Sequence, residues 1–309
     1  MRRAGCLIAL AALGVLGLAV RGYLARDYRP TFSRIAGELV MVRDETQVGA
    51  TESGDLVMDY TLVSDTGFTV RVRVRTPSDL ATGERRPAVL LVNGLRTGIR
   101  AAEVPTSTGG AVMASVAFPY DGPTRDLSTW QWIRHFGEIR RGLIDTPSAL
   151  LLAAQYLYSR PDVDPDRVTI IGVSLGVPFA TAAAATDHRL AGAALIHGGG
   201  DLRRLLLAAY GDDRPGYVAE PAAAILAGVL APLEPVKYVD DIAPRPVLVI
   251  SATGDERIPR ESVLALYEAA RRPKKMVWVE STHVAASERE IIDDLMGHVL
   301  EWMGANGLR

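Results

Sequence analysis

From Ala88 onward the chain carries short apolar runs without alternation: Ala88 to Val92, Val112 to Phe118, Val168 to Ile171, Ala191 to Ile196, Val247 to Ile250 and Met276 to Val279. A strand wetted on one face alternates apolar with polar residues, whereas a strand covered on both faces reads as a continuous run. These runs therefore predict a parallel sheet. Helical spacing lies between several of them, over Pro147 to Tyr158, Pro178 to Ala185, Glu261 to Arg271 and Ser287 to Met303. Strand alternating with helix predicts βαβ units. Upstream, Val57 to Val63 and Phe68 to Arg75 flank the turn Asp65-Thr66-Gly67 and predict an antiparallel pair. There Val70, Val72 and Val74 alternate with Arg71, Arg73 and Arg75, predicting one buried and one wet face, with an anion site on the arginines as the rarer use. The predicted fold class is α/β: a mostly parallel central sheet of about eight strands flanked by helices.

Two stretches break this rhythm. Between about residues 198 and 236 two apolar helical segments, Leu202 to Tyr210 and Pro221 to Leu230, follow one another with no strand between them. They read as a small helical cap whose Leu202, Leu206, Ile225 and Leu226 make a substrate pocket apolar. At the other end, Arg2 and Arg3 precede an apolar run from Ala4 to Val20. That run matches a long signal-peptide core and the lower limit of a bilayer span. Residues 1–26 thus form a signal peptide or a retained anchor; the charge balance favours the anchor, with the catalytic domain outside the cytoplasm. Residues 27–54 read as a linker or first strand, and residues 55–305 as the main domain.

The chain has 309 residues, 48% of them hydrophobic and 23% charged, which supplies a sizeable core. A net charge of −2 gives no basic field for nucleic acid. Cys6 is the only cysteine, which excludes an intramolecular disulfide. No His or Cys pair stands at zinc-ligand spacing, so no metal is expected.

The chemistry concentrates at three places. Gly172-Val173-Ser174-Leu175-Gly176 follows a strand run and precedes a helix, the setting a nucleophile elbow requires. A serine hydroxyl needs a base, and an imidazole oriented by a carboxylate provides one. Asp255 stands just past the Val247 to Ile250 run, with Pro259 opening the next helix; Glu256 is the fallback carboxylate. His283 follows the last strand run, whereas His135, His188 and His298 lie in or after helices and read as structural. The oxyanion donors expected are the N–H groups of Leu175, which follows the serine, and Leu95, in the loop after Ala88 to Val92. Arg96 in that loop reads as a surface residue, with contact to a substrate carbonyl or anion as the alternative. His197-Gly198-Gly199-Gly200 follows the wrong strand for an oxyanion loop and reads as a glycine turn leading to Asp201 as a helix cap.

Across roughly residues 55–305 the chain resembles the α/β-hydrolase superfamily, and within it dienelactone-hydrolase-like, esterase and acyl-peptidase-like domains. The likeness is carried by Asn93-Gly94, Phe118-Pro119-Tyr120-Asp121, the helix from Ile144-Asp145 to Leu157, Gly172 to Gly176, Gly254-Asp255 to Ile258-Pro259, and His283. The chain departs from the pattern in having Asn93-Gly94 where many members have His-Gly, and Ser174 where dienelactone hydrolases have cysteine. The resemblance implies a triad of Ser174, Asp255 and His283, no cofactor, and a small-molecule ester as substrate. Amide or thioester cleavage by the same triad is the alternative. A non-catalytic, membrane-tethered binding domain is a third reading.

Overall fold

A computed structural model describes residues 17–94, 97–120, 122, 128–210, 215–285 and 287–309, without the side chains of residues 129, 132 and 210. Nine strands form one sheet: β1 (Leu39–Ala50), β2 (Leu56–Ser64), β3 (Thr69–Thr76), β4 (Arg86–Val92), β5 (Val112–Val116), β6 (Val163–Val173), β7 (Gly192–Ile196), β8 (Val247–Ala252) and β9 (Lys274–Val279). Their order is β1-β2-β3-β5-β4-β6-β7-β8-β9. The pairs β1–β2, β2–β3 and β3–β5 are antiparallel, and all pairs from β5–β4 onward are parallel. The helices are α1 (residues 17–25), α2 (Arg29–Ala36), α3 (Thr129–Ser159), α4 (Gly176–Thr186), α5 (Leu202–Tyr210), α6 (Gly216–Val229), α7 (Arg260–Ala269) and α8 (Arg289–Ala305).

The unbroken apolar runs have the expected cause. In β4, Ala88, Leu90 and Val92 pack into one core with α3 and α4, while Val89 and Leu91 pack into a second core under α8. Strands β7 and β8 divide in the same way: Leu195 and Val249 face the first core, Ile196 and Ile250 the second. A polar residue on either face loses its water, so the parallel strands carry few and small ones, the fully buried Ser115, Thr169 and Ser251. Helix α8 meets the sheet through Leu295, Met296, Val299, Trp302 and Met303, one stripe at helical spacing.

The mostly parallel sheet is as expected, with differences at three places. Residues 39–50 form a full edge strand, bulged against β2, which raises the strand number to nine. Helix α3 begins at Thr129 rather than Pro147, because Ser128 and Gln131 form a reciprocal capping box. The arginines of β3 do not form a wet face. Only Arg71 is exposed. Arg73 is clamped by Asp59 (2.6 and 2.7 Å) and Glu103 (2.6 Å). Arg75 is 1% exposed and binds Asp55 (2.8 Å) and the carbonyls of Pro105 (2.6 Å) and Thr106 (3.0 Å).

Between β7 and β8 the chain forms α5 and α6 and short 3₁₀ turns, with no strand among the described residues. Leu202 is buried and Leu206 and Leu226 half-buried, but Ile225 is 67% exposed, against the expectation that it makes a pocket apolar. The N-terminal apolar run lies mainly outside the described residues. Among those described, no helix is long and apolar enough to cross a membrane.

Removing one member of a buried ion pair strands the other. Arg75→Ala is therefore expected to lower unfolding stability in urea by about 3–5 kcal/mol, and Arg71→Ala on the same strand by no more than about 0.5 kcal/mol. Equal effects for the two would remove the distinction drawn between them.

Candidate active site

Strand β6 ends at Val173 and helix α4 begins at Gly176, so the reversal between them is made by Ser174 and Leu175. Ser174 sits at φ +55°, a left-handed conformation that costs a non-glycine residue roughly 1–2 kcal/mol. Its N–H donates to the Ile196 carbonyl (2.8 Å), and its carbonyl accepts from Val177 N–H (3.0 Å). Both flanking glycines are required by contact. A Cβ on Gly176 would collide with the Val92 carbonyl, and one on Gly172 would lie 2.7 Å from both Ala180 Cβ and the Gly176 carbonyl oxygen. The N–H of Leu175, at the start of α4, makes no hydrogen bond among the described residues. It is thus free to meet an anion where the helix dipole favours one.

The Ser174 hydroxyl lies 2.9 Å from His283 Nε2. On the far side of the ring, Nδ1 lies 2.9 and 3.0 Å from the two Asp255 oxygens. The side chains of His283 and Asp255 are almost fully buried, at 3% and 2% exposure. Asp255 Oδ1 also accepts the N–H groups of Arg257 (2.9 Å) and Ile258 (3.0 Å), from the turn that leads to Pro259 and α7. Burial alone would raise the Asp255 carboxyl. The His283 hydrogen bond and these two N–H groups outweigh it and hold the carboxyl below the ordinary carboxylate range. With Asp255 ionised, the His283 proton resides on Nδ1 and Nε2 is left as acceptor for the serine hydroxyl.

Glu256, the fallback carboxylate, has another role. Its Oε2 accepts the backbone N–H of His283 (3.1 Å), so it holds the residue and not the ring. Leu95 and Arg96 lie outside the described residues. The neighbouring Gly94 N–H is taken by Asn93 Oδ1 (2.7 Å). His135 pairs with Glu138 (2.9 Å), His298 stands 3.8 Å from Asp294, and His188 is exposed; none of the three joins the site. Asp201 caps α5 as expected, accepting Arg204 N–H (3.2 Å).

One residue of the site was set aside in the sequence reading. His197 is fully buried at the end of β7, at φ +49°. Its Nδ1 accepts the N–H of Val284 (3.3 Å), directly after His283, and stands 3.5 Å from Asp255 Oδ2. Its ring meets the His283 ring edge-on at 5.6 Å. Burial drives the imidazole down to about 4, so near neutral pH it is an uncharged acceptor and not an ion-pair partner of Asp255. His197 to Gly200 has the pattern of an oxyanion loop on the wrong strand, and that pattern hides a histidine at the C-terminal end of a parallel strand, where the other site residues also stand.

His197, Asp255 and His283 bring potential ligand atoms within 4.8 Å of one another. The Asp255–His283 separations of 2.9 and 3.0 Å are those of a proton shared between nitrogen and oxygen, and Val284 already occupies the His197 lone pair. The donor set is therefore committed to hydrogen bonds. Beside the serine, Asn93, Val173, Ile196, Val284, Ala285 and Met296 help to line a crevice in which Asn93 is the sole polar side chain among the lining residues.

Residues 145–306 match the model of the prolyl oligopeptidase family. No curated protein matches the chain. Among solved structures, acetyl xylan esterase 1 from Thermoanaerobacterium sp. JW/SL YS485 superposes with a TM-score of 0.58 at 18% identity, over 89% of this chain and 93% of that one. An acetyl xylan esterase from Paenibacillus sp. R4 gives 0.62 at 15% identity, over 89% and 92%. A puromycin-hydrolysing peptidase of Mycobacterium tuberculosis gives 0.58 at 19%, over 84% of this chain and 41% of the other. At these identities the likeness is one of fold.

His197 generates a pH signature. Between pH 6.5 and about 4 the unfolded chain protonates this imidazole and the folded chain does not. Its contribution to stability is therefore complete above pH 6.5 and is lost as pH falls toward 4. In His197→Leu the slope of melting temperature against pH across that window is expected to flatten. Its kcat should fall roughly tenfold, because the Val284 N–H loses its acceptor and His283 its support. A slope unchanged from the parent would contradict the assignment.

Proposed function

The chain belongs to the prolyl oligopeptidase family of α/β serine hydrolases, and from that premise we propose that it cleaves carboxylic esters with a small, uncharged acyl part through an acyl-enzyme on Ser174. The observation that carries this is the continuous line from Ser174 Oγ through the His283 ring to Asp255, with contacts of 2.9 to 3.0 Å. His283 Nε2 takes the hydroxyl proton as Oγ attacks the ester carbonyl. Asp255 remains ionised and stabilises the imidazolium. The Leu175 N–H, with Leu95 as the second donor, receives the charge that develops on the carbonyl oxygen. The imidazolium then passes its proton to the leaving alkoxide, the carbon–oxygen bond breaks, and the acyl group stays on Ser174. Water, deprotonated by the same nitrogen, attacks the acyl carbonyl, and the proton returns to Oγ as the carboxylic acid leaves.

The lining of the crevice supports an ester with an uncharged acyl part. Among its described lining residues none is charged and Asn93 alone is polar, so none of them binds a peptide terminus or a charged peptide side chain. The acetyl xylan esterase neighbours act, by name, on ester substrates, and they agree with this reading. The family match itself favours a second reading, in which the same line of residues cleaves amides. Either requires the same nucleophile, so the leaving group separates them.

A fluorophosphonate probe is expected to label the full chain, and Ser174→Ala to abolish labelling. Asp255→Asn should lower kcat by about 10⁴-fold through the wrong imidazole tautomer. In a panel of para-nitrophenyl esters, peptide anilides and acyl-CoA thioesters, the short esters should be turned over fastest. Faster peptide cleavage would transfer the assignment to the peptidase reading, and failure of every probe to label Ser174 would end both.

A further inference from the structure

Among the described residues, nine of the fifteen large apolar side chains that stand exposed lie on three helices: α1, the start of α3, and α6. Scattered exposed apolar residues are ordinary, but a concentration is not. Helix α6 is the clearest case. Glu220 is its single charge, and that charge is paired with Arg203 on α5. Beneath α6 only Ala219 and Ala223 are buried, while Tyr217 is 83% and Ile225 67% exposed. A helix with no polar face belongs under cover.

The three helices meet at one knot. Arg140 of α3 donates to the Tyr23 hydroxyl of α1 (2.7 Å) and to the carbonyl of Val229 at the end of α6 (3.3 Å); Tyr23 donates to the same carbonyl (3.0 Å). Ile133, exposed, stands seven residues before Arg140, two turns along the same helix face. Trp130, 71% exposed, lies one turn farther toward the helix start. Helix α3 enters from the C-terminal end of β5, and α6 follows the C-terminal end of β7. Their apolar faces therefore stand at the edge of the sheet that carries Ser174.

The occupant follows from chain continuity and charge. The apolar run from Ala4 ends at Val20 inside α1, whose Leu18 and Val20 are exposed, so 17 apolar residues lead straight into the patch. Exposed Arg21 on α1, Arg26 directly after it and Arg134 on α3 are suited to anionic headgroups. Trp130 and Tyr217 are the residue types that settle at headgroup depth. We propose that the face formed by α1, the start of α3 and α6 rests on an anionic lipid bilayer, and that the ester substrate reaches Ser174 from that bilayer as a membrane-resident amphiphile. The seating stands on the face alone; the substrate route rests on the ester-hydrolase reading.

The test uses the full chain with vesicles of phosphatidylcholine and phosphatidylglycerol carrying brominated acyl chains. Trp130 emission, taken as the difference between the parent and Trp130→Phe, should be quenched, and more weakly in Ile225→Glu. Ser174→Ala should keep the quenching, so a failure of the chemistry is separable from a failure of the seating. Ile133→Glu and Ile225→Glu should lower turnover of a short-acyl ester of a long-chain alcohol embedded in the vesicles by about tenfold, while turnover of para-nitrophenyl acetate in solution is unchanged and reports an intact fold. A chain that floats with vesicles without quenching at Trp130 hangs clear of the bilayer and overturns the proposal. So does a chain that stays with the aqueous phase, or a dimer that Ile225→Glu dissociates, since the face then belongs to a second copy. Equal loss on both substrates, or on neither, overturns the substrate route.

Discussion

Ser174 meets His283 because the chain reverses between β6 and α4 within two residues, through a left-handed backbone that serine adopts only at a cost. Packing holds that conformation. The Val92 carbonyl lies against Gly176, and Ala180 and the Gly176 carbonyl lie against Gly172, so the turn has no room to relax into a wider loop. The hydrogen bond from Ser174 N–H to Ile196 ties it to β7 as well. The same reversal sets the start of α4 directly after the serine, with a Leu175 N–H that has no partner among the described residues. Hydroxyl and N–H are thus fixed by one constraint.

The His283 imidazole depends on the opposite kind of control, a ring held from several directions. Asp255 fixes the His283 imidazole through Nδ1, Glu256 fixes its backbone N–H, and His197 fixes the next backbone N–H at Val284. Asp255 is in turn fixed by the two amides that follow it. All these groups sit on loops after β7, β8 and β9, three adjacent parallel strands. Parallel strands end at the same edge, so side chains far apart in the chain converge without long loops. The near-total burial of the ring and its carboxylate makes each hydrogen bond count, since a missing partner there has no water to replace it.

Charge is managed differently on the antiparallel side. Arg73 and Arg75 are drawn under the 98–106 segment and neutralised by Asp55, Asp59 and Glu103, so that part of the sheet is covered although its sequence alternates. Helix α6 shows the reverse: an apolar sequence that the fold leaves in the open. In both places local polarity misstates burial.

Hydropathy by itself determined the parallel half of the sheet, because a strand covered on both faces has few polar positions to break the pattern, and it placed Ser174, Asp255 and His283 just past strand ends. It also placed α8 and the two helices between β7 and β8. What it left open required contacts across the chain. Strand β1 reads as either a linker or a first strand because an edge strand exposed on both faces carries no periodicity, and only its pairing with β2 decides between them. Arg75 reads as wet until Asp55 and two carbonyls, distant in sequence, surround it. His197 and Glu256 acquire their places through backbone amides of residues 283 and 284, and a backbone amide leaves no trace in an amino-acid sequence. Patterning thus reports which faces lose water, whereas hydrogen-bond partners are chosen by geometry that exists only once the chain has folded.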